Sequence, residues 1–147
     1  MADQYVGSSV LGEIIDGLRE RADLVDVQIE KGYPGDAVKA EAIYPGEITA
    51  DVDYPVMTGA APRARDQMLT IPLEIRVASR RTLDDVHDRL GELIGAVDEY
   101  LAETSTLDDH PNVVEVTLDD IRHAIGPVPE GFLGFGLLTL TVHTRVP

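Results

Sequence analysis

"MLTIPLEIRVA" (residues 68–78) decides the fold class. Leu69, Ile71, Leu73, Ile75 and Val77 fall on every second position, with Thr70, Glu74 and Arg76 among the residues between them. A period of two over this length is a half-buried β-strand, because successive side chains leave a pleated backbone on opposite faces. Pro72 lacks a backbone N–H, so a sheet edge or a bulge is expected there. The period then changes. Thr82, with Asp85 three residues on, resembles a capping box with Asp in place of Glu. Val86, Leu90, Leu93, Ile94, Val97 and Leu101 follow at helical spacing as one apolar stripe. Gly91 and Gly95 interrupt this helix at some cost in propensity, and close packing is the expected reason.

The remaining segments are read against this strand–helix pair. Ser8 to Ala22 predicts a first helix with Val10, Leu11, Ile14, Ile15 and Leu18 on one face and Ser8 or Ser9 as cap. Val25, Val27 and Ile29 alternate with acidic and amide residues, which predicts a strand over 25–30. Pro34-Gly35 and Pro45-Gly46 both match the central pair of a type II turn. Tyr-Pro occurs at 33, 44 and 54, but the intervals are too short for a repeat unit, so the pairs are read as turns bounding short strands. After the second turn Ile48, Ala50, Val52 and Tyr54 share one side of a strand, and Glu47, Thr49, Asp51 and Asp53 the other. Residues 56–67 lack periodicity and predict a long loop carrying Arg63 and Arg65. Near the C-terminus Val114, Val116 and Leu118 share one parity and Ile121 and Ile125 the other, so a bulge is expected at Asp119-Asp120. "GFLGFG" (131–136) reads as a flexible turn, and Leu138 to Val146 as a final strand. The order predicts a single α+β domain spanning 1–147: a mostly antiparallel sheet, two helices packed on one face, and a long loop between hairpin strands.

Composition narrows the function. The chain carries 27 acidic and 12 basic residues, a net charge of −15, spread along its length. Such a surface repels nucleic acid and anionic membranes. Hydrophobic residues make up 44% of the chain, with two Phe and no Trp, so the core is aliphatic. There is no Cys, hence no disulfide and no thiolate metal site, which suits assembly in a reducing cytoplasm. The first apolar run is broken by Glu13 and Asp16, unlike a secretory leader, and no run approaches the roughly 20 residues of a membrane span.

Catalytic motifs are missing. No phosphate loop, nucleophile elbow or His-Glu-x-x-His occurs. Asp84 with His87, and Asp108, Asp109 and His110, are the candidate ligand groupings, and each reads as ordinary surface, as do His123 and His143. Glu47, Asp51 and Asp53 lie about 7 Å apart along one strand face, a spacing open to a cation but commoner on a solvated face. The expectation is a protein without enzymatic activity, cofactor or metal.

The whole pattern resembles the tail-terminator proteins of long-tailed phages with non-contractile tails. The likeness spans nearly the full chain and rests on order and spacing: "VDVQIEKGYPGD" (25–36) after the first helix, "RARDQMLTIPLEIRV" (63–77), a helix beginning near Thr82, and the ending "GLLTLTVHTRV" (136–146). The resemblance implies a virion protein, assembled in the host cytoplasm, that forms a ring, usually of six subunits. The ring stops growth of the tail tube at its head-proximal end and gives the head connector a docking surface. DNA passes through such a ring without specific binding, and Glu47, Asp51 and Asp53 would face the channel or a neighbour. Arg63 and Arg65 would meet carboxylates of a neighbouring subunit. The alternatives are a neck or head-completion protein of the same particle, or a metal-dependent enzyme using residues 47, 51 and 53.

Overall fold

A computed structural model describes residues 6–53, 65–79, 82–104 and 112–146. It is an α+β structure: a six-stranded, mostly antiparallel sheet with two helices. In chain order these are α1 (Gly7–Arg19), β1 (Gln28–Ile29), β2 (Glu41–Pro45), β3 (Thr49–Asp53), β4 (Arg65–Ser79), α2 (Leu83–Glu103), β5 (Val113–Val128) and β6 (Gly131–Val146). The sheet order is β1-β2-β4-β6-β5, with β3 also on β4, and only β1 and β2 run parallel.

The decisive stretch is the central strand. Leu69, Ile71, Leu73 and Ile75 have no exposed surface, and opposite them on β6 stand Val142, Leu140, Leu138 and Gly136. The apolar stripes of α1 and α2 close over this face and form one cluster with it. The helices touch through a small residue: a Cβ at Gly17 of α1 would lie 2.1 Å from the Tyr100 hydroxyl of α2. Thr82 caps α2 as expected, its Oγ1 accepting from the Asp85 N–H at 3.2 Å. No serine caps α1. Val6 occupies that position, and the Ser9 hydroxyl donates to the Val6 carbonyl instead.

Several expectations are corrected. Pro45-Gly46 is not a chain reversal. β2 and β3 run on in the same direction along one edge of β4, paired at Pro45↔Leu73 and Thr49↔Thr70. Three residues, 46–48, oppose two, 71–72, so the break is a bulge of one residue. It sits at Pro72, whose missing N–H cannot bond there. The Gly46 N–H donates to the Pro72 carbonyl at 2.8 Å, and a Cβ at Gly46 would lie 3.1 Å from Pro72 Cγ. Gly35 does adopt the expected positive φ of +64°, but Pro34 has ψ −1°, so this is not a type II turn; residues 35–37 form a 3-10 turn. Strand 25–30 shrinks to Gln28–Ile29, because Ala22–Leu24 winds into a 3-10 turn that buries Leu24 and leaves Val25 exposed.

β4 begins at Arg65, so Arg65, Asp66 and Gln67 belong to the strand and not to a loop. "GFLGFG" is likewise not a turn but the first part of β6, paired to β4 and β5 along its length. Its glycines admit α2: a Cβ at Gly134 would lie 2.8 Å from Val86 Cγ1, and one at Gly136 would lie 3.4 Å from Leu90 Cδ1 and Ile94 Cδ1. Gly91 and Gly95, by contrast, pack against nothing within 4 Å. The bulge expected at Asp119-Asp120 is present, as a register shift between Leu118 and Asp120.

The dimensions leave surface free. The 16 residues of β5 and β6 extend roughly 50 Å, whereas the 21 residues of α2 cover roughly 30 Å. From Asp119 to Val128 the edge strand β5 is exposed or half-exposed throughout.

Candidate functional site

Among the described residues no helix lies on the second face of the sheet, and the sequence-derived acidic strand opens onto that face. Directly opposed residues of an antiparallel pair share a face. Asp51 opposes Met68, which opposes His143, which opposes Glu115, giving one polar row across β3, β4, β6 and β5. The next row joins Asp53, Asp66 and Arg145 by register. The alternation of "DQMLT" on β4 and "TVHTR" on β6 produces both rows, because each puts its apolar residues on the helix side.

A charge node holds this region together. Arg145 donates from Nε to Asp66 Oδ1 at 2.8 Å and from Nη2 to Oδ2 at 3.2 Å, a forked pair. His143 Nε2 lies 3.3 Å from Asp66 Oδ1. The Arg145 hydrogen bonds, with His143 in support, hold the Asp66 carboxyl below its ordinary range. Two residues away on β5, Asp119 accepts from the Thr117 and Thr141 hydroxyls, fixing the bulge.

The five residues singled out from sequence fare differently. Asp51 and Asp53 lie on β3 in the expected parity, and the Asp51 side chain is exposed. Glu47 is exposed but stands in the bulge between β2 and β3, outside either strand. Arg65 starts β4 opposite Val146. Arg63 lies outside the described residues, as do Asp108, Asp109 and His110. Among the described residues no group of three metal-ligating side chains gathers. His87 stands 4.0 Å from Asp88, and its ring meets that of His123 edge-on at 6.3 Å.

The polar node was not foreseen, since Asp66 was assigned to a loop. The visible signal was the pair His143 and Arg145 on the polar side of the last strand, which calls for a carboxylate opposite. A second fork was also missed: Arg89 of α2 donates to both oxygens of Glu41 on β2 at 2.9 Å, and to Glu92 at 2.9 Å. These bonds, Glu41 first, raise the guanidinium's already high pKa.

Tyr33 of the Gly-Tyr-Pro segment packs edge-on against Tyr44, with ring centroids 5.3 Å apart. Tyr44 is 5% exposed, and burial raises its phenol pKa. Part of the Tyr-Pro stretch therefore folds back on β2 instead of binding a ligand.

No family model matches the chain, and no curated protein matches it. The fold is similar to that of a solved chain from the virion of a native gene transfer agent (GTA) particle. That likeness has a TM-score of 0.59 at 10% identity and covers 98% of this chain and 100% of the other.

Proposed function

We propose that the protein is a structural subunit of a phage-type virion, and that it forms a ring closing the head-proximal end of the tail tube. One observation carries this reading: the end-to-end likeness of the fold to a chain of a gene transfer agent virion. The sequence pattern that resembles tail terminators adds the tail position. The ring, of six subunits, ends tube polymerisation by covering the last ring of tube protein, and its opposite side receives the head connector. Its role is structural, without cofactor or metal.

The physical properties of the chain favour this role. A sheet roughly 50 Å long, covered only in part by helices, has free edge and free face with which to meet neighbours. The acidic strand β3 suits a channel wall, because DNA must pass without being held. A surface of net charge −15 repels the polyanion instead of retaining it. Arg63 and Arg65 connect β3 to β4 and would bind carboxylates of an adjacent subunit or of the tube protein. No helix among the described residues is long and apolar enough to cross a membrane.

The test is electron microscopy of the purified protein alone and with tail tubes. The reading expects rings, free or seated on one end of each tube, and tubes that no longer elongate. Tubes that grow unchanged and bind no protein at their ends would refute it.

A further inference from the structure

Arg76 stands apart from the other described cations. Arg19, Arg21, Lys31, Arg89, Arg122 and Arg145 each lie within ion-pair distance of a carboxylate of this chain. Arg76 has no ion pair among the described residues, although the chain holds 27 acidic residues against 12 basic ones. Its Nε is shielded from solvent and has no hydrogen-bond partner. A shielded, unsatisfied donor is costly and uncommon, and it marks a guanidinium whose bonding capacity the chain itself leaves unused.

Its surroundings supply the rest. Arg76 lines an open concavity at the end of the sheet where β4 finishes and the β5–β6 hairpin turns. Val128, Pro129, Phe132 and Leu133 form its apolar wall, and Glu130 stands at the rim. Arg80 and Arg81 follow directly in sequence, giving three arginines within residues 76–81. An apolar hollow beside an unpaired guanidinium is complementary to a carboxylate flanked by apolar side chains.

We propose that this corner is a subunit–subunit docking site, occupied in the assembly by a carboxylate-bearing segment of a second copy of this chain. The inference rests on the ring reading and adds the contact that builds the ring. Charge complementarity selects the occupant. A second copy brings a surplus of 15 negative charges to a corner that is locally positive. DNA would meet the same arginines but also the acidic surface around them, and its phosphates have no use for the apolar wall.

Ring formation, free and on tube ends, is measured for the wild type, Arg76→Ala, Arg76→Glu and Val128→Asp. Val128 is 38% exposed, so its replacement perturbs the hollow and not the core. Thermal melts check that each variant folds. The expected result is a loss of subunit affinity of about tenfold or more in Arg76→Ala, as for a charge-assisted hydrogen bond. A larger loss is expected in Arg76→Glu, a loss also in Val128→Asp, and unchanged melting in all three. A folded Arg76→Glu that forms rings like the wild type overturns this inference and leaves the ring reading standing. A wild type that forms no ring in either setting removes the ring reading and this contact with it. A duplex DNA probe bound by the wild type and released by Arg76→Glu would assign the corner to nucleic acid and overturn the proposal.

Discussion

Gly17 gives the sharpest test of the helix layer. In an isolated helix, Gly→Ala is favourable by about 1 kcal/mol, because glycine has more backbone freedom to lose. In this fold the new methyl carbon would lie 2.1 Å from the Tyr100 hydroxyl, 2.5 Å from Cζ and 2.6 Å from Cε1. All three distances are far inside van der Waals contact, and the obstacle is a ring rather than the free end of a flexible chain. Tyr100 is 7% exposed and its hydroxyl points at the Glu13 carbonyl, 3.5 Å away. Moving the ring forfeits that contact and disturbs the packing of α1 on α2. Overpacking of this kind costs about 1–3 kcal/mol, which exceeds the propensity gain in most of its range. Gly17→Ala should therefore lose about 1–2 kcal/mol net. Gly91→Ala, on a helix face with nothing within 4 Å, should gain about 0.5–1 kcal/mol. Urea or thermal unfolding of both variants measures this, with about 2–4 °C expected per kcal/mol for a domain of this size. Tyr100→Leu in the Gly17→Ala background should recover part of the loss relative to Tyr100→Leu alone, which a double-mutant cycle reports. A Gly17→Ala variant as stable as Gly91→Ala would refute the packing of Tyr100 on α1.

Four further outcomes are expected. Thr82→Ala should cost about 1 kcal/mol by removing the N-cap bond of α2, read from chemical denaturation. The Asp66 pKa is lower folded than unfolded, so its contribution is present above the usual carboxylate range and disappears as pH falls through the folded value. Asp66→Asn should accordingly flatten the acid limb of a stability–pH curve below about pH 4 more than Asp51→Asn does. Glu47→Gln, Asp51→Asn and Asp53→Asn together should change stability by no more than about 0.5 kcal/mol per site. A wild-type melting temperature that rises with calcium or magnesium, and no longer does so in this triple variant, would point to a metal site instead. Arg63→Ala with Arg65→Ala should leave melting of the isolated protein unchanged and weaken tube binding by about 1–3 kcal/mol. Unaltered tail length and particle yield would show that neither arginine is a contact.

The sequence is legible where one side chain answers to one solvent boundary. β4, α2 and the second half of β6 show their period because one face is packed and the other wet. Even the bulge at Asp119-Asp120 appears as a change of parity. Reading failed where the cause was tertiary. Gly134 and Gly136 look like turn residues locally, but their smallness serves the approach of α2 to a central strand. Pro45-Gly46 carries a turn signature, yet pairing along β4 keeps the chain extended, and the glycine yields space to Pro72. Val25 shares the parity of Val27 and Ile29, but a 3-10 turn just before it rotates it into solvent. The acidic alternation at Asp51 and Asp53 was readable because it is a property of one strand. The node of Asp66, His143 and Arg145 was not, because it needs the register of β4 against β6. Arg76 was hidden for the same reason: on its own strand it is an ordinary polar position, and its lack of a partner is visible only in three dimensions.

The central claim is that this chain works as a ring on the end of a tail tube. Native mass spectrometry of the protein bound to and released from tail tubes tests it most directly. The account predicts a closed species of six subunits, six times the 16.0 kDa of one chain, present at one copy per tube. Protein that remains a 16.0 kDa monomer at high concentration and is never recovered with tubes would contradict it.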